Sequence, residues 1–114
     1  MIKVLSTDLI FTFELNDMTY AVYIVDEINN ADSTLGETNY ETQVIRIKRG
    51  KPELMLRTLK HELVHVWLNE FGHYQHERNF SSEDVCEIVS CSNDFINEQS
   101  AIWCSKLKEW NNIF

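Results

Sequence analysis

The stretch PELMLRTLKHELVHVWLNEF, residues 52–71, places Leu56, Leu59, Leu63 and Trp67 at helical spacing and reads as one amphipathic helix about 28 Å long. Pro52 suits the first turn, where its missing N–H costs nothing, and Gly72 stands where a helix stop belongs. Inside this run lies His61-Glu62-Leu63-Val64-His65. Imidazoles at i and i+4 share one helix face with Cβ atoms about 5–6 Å apart, so both can point a ring nitrogen at one ion. That is half of a zinc site, because a catalytic zinc takes three protein ligands and leaves a fourth position for water. Glu62 can reach that open position and take a proton from the water there, which is what the H-E-x-x-H spacing means mechanically. The plain alternative is a pair of surface histidines on an ordinary helix. The apolar residues between and around the pair favour zinc.

Outward from this helix, composition narrows the classes. A chain of 114 residues with 44% hydrophobic content has room for one domain and one core. The net charge of −8 and the absence of a basic run longer than Lys48-Arg49 and Lys51 argue against nucleic acid and against acidic membrane surfaces. The first residues meet Asp8 before any sustained apolar stretch, which is unlike a secretory signal, and no segment approaches the length of a membrane span. Cys86, Cys91 and Cys104 are odd in number and lack C-x-x-C spacing, so free thiols in a reducing cytosol are expected, packed as small core residues.

Upstream of the helix, residues 9–15 and 18–25 read as two strands joined at Asn16-Asp17. Residues 26–37 have loop composition, and the chain stiffens again from Thr38. Val44, Ile45, Arg46, Ile47 and Lys48 alternate apolar and basic, a strand exposed on one side and suited to a sheet edge. Downstream, residues 72–80 read as loop and Ser81 as the N-cap of a second helix. That helix carries Val85, Ile88, Val89, Phe95 and Ile96, then Ile102, Trp103, Leu107, Trp110 and Phe114, either as one rod or as two joined near Asn97. The expected fold is α+β, with a three- or four-stranded, mostly antiparallel sheet followed by the histidine helix and an acid-bearing helix.

A second helix packed about 8–10 Å from the first, after a loop of this length, brings Glu83, Asp84 and Glu87 back toward the histidines. Glu83 and Glu87 share a face one turn apart, and reach alone does not choose between them. Acids at a helix start also complement its dipole with no ligand role at all.

His61-Glu62-Leu63-Val64-His65, then Gly72-His73, then Glu83-Asp84-Val85-Cys86-Glu87-Ile88 resembles the small phage and prophage metallopeptidases of the ImmA/IrrE-like group, over roughly residues 35 to 96. These are minimal gluzincins. The resemblance implies a zincin-like domain that hydrolyses peptide bonds with Zn2+. His61, His65 and Glu83 are then the ligands, Glu62 the general base, and Glu87 an acid supporting a ligand histidine. Glu87 stands where that group usually has Asp or Asn, so it stays open as the ligand itself. His73, Tyr74 and His76 are then candidate transition-state donors, and Val44 to Lys48 the strand that pairs with an extended polypeptide substrate. A cytoplasmic phage or host regulator, such as a repressor, is the substrate the resemblance implies.

Other readings compete. An SprT-like protease takes its third ligand from a histidine soon after the helix, here His73 or His76, but the acidic charge disfavours that group's DNA-linked substrates. The metzincin pattern fails, since Leu68 and Phe71 occupy its glycine and histidine positions. A zinc domain without turnover, docking partners through its edge strand or aromatic tail, is a reading from a different class. In a further one, the tail from Trp103 covers the cleft and keeps the enzyme latent.

Overall fold

The computed structural model describes residues 7–29, 33–71 and 80–112. β1 (Thr7–Leu15) and β2 (Met18–Val25) form the expected hairpin, and Asn16 and Asp17 turn it with φ of 54° and 63°, a conformation these two types tolerate. A bulge between Leu9 and Phe11 shifts the register so that Phe11 and Phe13 fall on the same face as Tyr20, Val22 and Ile24. β3 (Gly36–Asn39) and β4 (Val44–Lys48) complete a four-stranded sheet in the order β1-β2-β4-β3. β1–β2 and β3–β4 are antiparallel, while β2–β4 is parallel.

Two expectations change here. The segment read as loop through Glu37 enters β3 at Gly36. Val44 to Lys48 is not an edge, because β4 pairs with β2 on one side and β3 on the other. Alternation of Ile45 and Ile47 with Arg46 and Lys48 reports a solvated face of the sheet, and says nothing of whether the strand's hydrogen bonds are shared on both sides. On that face Arg46 pairs with Glu37 directly across the ladder.

Both helices cover the opposite face. α1 (Pro52–Glu70) buries Leu59, Leu63 and Val66 against the sheet. Its last residue sits at the negative end of the helix dipole. There the Glu70 carboxylate accepts a hydrogen bond from the buried Tyr20 hydroxyl, and the Glu70 carbonyl accepts one from Asn16 Nδ2 at 3.1 Å. These bonds tie the helix end to the hairpin. α2 (Ser82–Asn112) is a single helix, continuous through Asn97. Ser81 caps it reciprocally: Ser81 Oγ accepts from the Asp84 N–H at 3.1 Å and Asp84 Oδ2 accepts from the Ser81 N–H at 2.9 Å.

Phe95 of α2 packs on Trp67 and Phe13, and Trp103 is fully buried edge-on to Phe11. The tail at Trp103 is therefore core. The Trp110 side chain and Phe114 lie outside the described residues. Cys86, Cys91 and Cys104 are exposed rather than packed inside, since they fall off the stripe formed by Ile88, Ser92, Trp103 and Leu107. Among the described residues no helix is long and apolar enough to cross a membrane.

Candidate metal centre

His61 and His65 project from the side of α1 that leaves the core, His61 exposed and His65 half-buried. Their Nε2 atoms stand 3.1 Å apart, with ring planes 74° to one another. Two nitrogens each about 2.0–2.1 Å from a tetrahedral zinc are about 3.3 Å apart, so the pair is already close to the required bite. One imidazole donating a hydrogen bond to the other accounts for the same separation without an ion.

Glu62, between the two in sequence, lies on the side of the pair nearest the sheet and is buried although it is an acid. Its Oε1 accepts a 2.7 Å hydrogen bond from Thr38 Oγ1 on β3, which offsets part of the cost of burying a carboxylate. Gly36, two residues earlier, lets the helix come this close. A Cβ there would lie 2.5 Å from Thr58 Cγ2 and 3.4 Å from Glu62 Cγ. The ligand atoms of His61, Glu62 and His65 all fall within 4.8 Å of one another, and they form the convergent His/Cys/Asp/Glu group among the described residues.

Glu83 and Glu87 are not part of that group. Both are exposed on the first turns of α2. Measured along the helix from Phe95, which meets Trp67 just beyond His65, Glu87 is about 12 Å and Glu83 about 18 Å away. Glu87 instead accepts a 3.5 Å contact from the Cys91 thiol, and that contact pushes the thiol's pKa above its ordinary value. His73, Tyr74 and His76 lie outside the described residues.

Sequence reasoning missed Thr38 and Gly36. A threonine in a short strand carries no signal of its own. The glycine does carry one, because a glycine inside a strand often marks close backbone approach, but the loop composition of residues 26–37 hides it. No family model matches the chain, and the comparisons with curated proteins and solved structures found no match.

Proposed function

We propose that this protein is a zinc-dependent peptidase of the ImmA/IrrE-like, minimal-gluzincin kind, acting in the cytoplasm on a phage or host regulatory protein. The observation that carries the proposal is a buried glutamate, fixed by Thr38, beside two histidines whose Nε2 atoms are 3.1 Å apart. Two satisfied surface histidines do not explain why the intervening acid is taken into the interior and given a donor.

On this reading His61 and His65 hold the ion, and zinc when bound supplies Lewis acidity and lowers the pKa of a water. Glu62 accepts the proton of the attacking water and delivers it to the leaving amine. Thr38 occupies one carboxylate oxygen and leaves the other for this transfer. Glu83 is the proposed third ligand, with Glu87 and, on the SprT-like alternative, His73 or His76 as its competitors. A role for Glu83 requires the first turns of α2 to approach the pair more closely than they stand. The substrate strand is reassigned from Val44–Lys48 to β3, whose outer edge pairs with no strand among the described residues and which carries Thr38 beside Glu62.

Metal analysis of the purified chain tests the reading. About one zinc per chain is expected, lost in His61→Ala and in Glu83→Gln but retained in Glu62→Gln, which abolishes peptide hydrolysis. Zinc that survives Glu83→Gln and disappears in Glu87→Gln or His73→Ala reassigns the third ligand. Absence of zinc binding in the wild-type chain overturns the proposal, and zinc without turnover on any peptide library leaves a non-catalytic zinc domain.

A further inference from the structure

Between the first half of α1 and the chain entering β3 lies a cavity of about 410 Å3, lined by Thr34, Leu35, Leu54 and Arg57 and opening onto His61 and Glu62. Leu35 and Leu54 make its wall apolar. Arg57 gives it one cation, placed one helical turn before His61 on the same face. Arg57 is exposed, and among the described residues it has neither an ion-pair partner nor a hydrogen-bond partner. In a chain with 18 acidic and 10 basic residues, this leaves one guanidinium beside the candidate site accessible to an anionic group from outside.

The register supplies a direction. Gly36 lies under Thr58 and Thr38 under Glu62, so β3 runs the same way as α1. An extended peptide that pairs antiparallel with the outer edge of β3 therefore enters beside Asn39, passes Glu62, and leaves toward Gly36 and Leu35. Its residues after the bond beside Glu62 reach the cavity that holds Arg57.

We infer that Arg57 selects a carboxylate on the C-terminal side of the scissile bond. An acidic side chain or a free chain end meets this requirement, since the guanidinium fork binds either one bidentately. The inference rests on the peptidase reading for the position of the scissile bond, but it is tested by binding. Fluorescein-labelled peptides are titrated against zinc-loaded Glu62→Gln protein, in which the Gln carbonyl still accepts the Thr38 hydrogen bond. Three peptide sets are compared: C-terminally amidated neutral peptides, amidated peptides with a downstream Glu, and neutral peptides with a free C-terminus.

One or both carboxylate sets should bind roughly three- to tenfold more tightly than the neutral set. That ratio should fall to about one with Arg57→Gln, persist in part with Arg57→Lys, and drop below one with Arg57→Glu. Which set shows the preference identifies the side chain or the chain end. Equal affinity for all three sets, a ratio unmoved by Arg57→Gln, or no peptide binding overturns the inference. Failure of the peptidase reading looks different: the wild-type protein hydrolyses nothing while the Arg57-dependent preference persists.

Discussion

Thr38 Oγ1 donates a 2.7 Å hydrogen bond to Oε1 of Glu62, and this bond joins the outermost strand of the sheet to the buried acid of the histidine helix. A hydrogen bond to a charged group contributes about 1.5–3 kcal/mol, and leaving the acid without its donor adds a desolvation cost. Thr38→Val is expected to lower stability by about 1–3 kcal/mol in urea unfolding and to reduce the proposed peptide hydrolysis. Thr38→Ser, which keeps the hydroxyl, should retain most of both.

Gly36 sets how closely α1 approaches β3. A methyl group there meets Thr58 Cγ2 at 2.5 Å, too close to be absorbed without movement. Gly36→Ala should cost about 1–3 kcal/mol. The double variant Gly36→Ala with Thr58→Ser removes the opposing methyl but keeps the hydroxyl that donates to the Leu54 carbonyl at 2.8 Å. It should recover most of the loss by thermal denaturation, and no recovery would show that the strain lies in the backbone instead.

Tyr20 makes stability depend on alkaline pH. Burial first, and then its hydrogen bond to Glu70, push the hydroxyl's pKa up to about 12, against about 10 in an unfolded chain. Between these values the unfolded chain has released a proton that the folded chain keeps. The contribution is therefore whole below about pH 10 and is lost as pH rises toward 12. A loss of about 2–3 kcal/mol across that window is expected in denaturant titrations. Tyr20→Phe should flatten it while lowering stability near neutral pH, because Glu70 loses the tyrosine donor and keeps only the weaker one from Asn69 Nδ2 at 3.3 Å.

Trp103 is fully buried and packs edge-on to Phe11, with ring centroids 6.4 Å apart. Trp103→Ala should cost about 3–5 kcal/mol. Truncation before Trp103 should unfold the chain rather than unmask activity, as circular dichroism and a peptidase assay on the same sample will show. Active, folded truncated protein would restore the idea of a latency segment.

Much of the fold was legible because its signals are local. The hairpin showed in the alternation of residues 9–15 and 18–25 around Asn16-Asp17. Both helices showed in the spacing of their apolar residues, and the N-terminus of α2 showed in Ser81 and the acids after it. The edge position of Val44–Lys48 was misjudged because a polar face and an unpaired edge produce the same alternation in one strand. The cysteines were misplaced because residue type gives a tendency to be buried, whereas position around the helix decides it.

By itself the sequence determined that His61 and His65 share a face with Glu62 between them, since i and i+4 neighbours are set by helix geometry wherever the helix sits. It also determined that strands precede helices in an α+β fold. Only the tertiary structure decided that β3 lies outside β4, that Thr38 meets Glu62, that Gly36 admits the helix, and that Arg57 overlooks a cavity beside the histidines. It also decided that Glu83 and Glu87 stand apart from the group formed by His61, Glu62 and His65. Each of these depends on which buried faces pair across long stretches of chain, and that pairing is settled by packing between elements, not by the periodicity within any one of them.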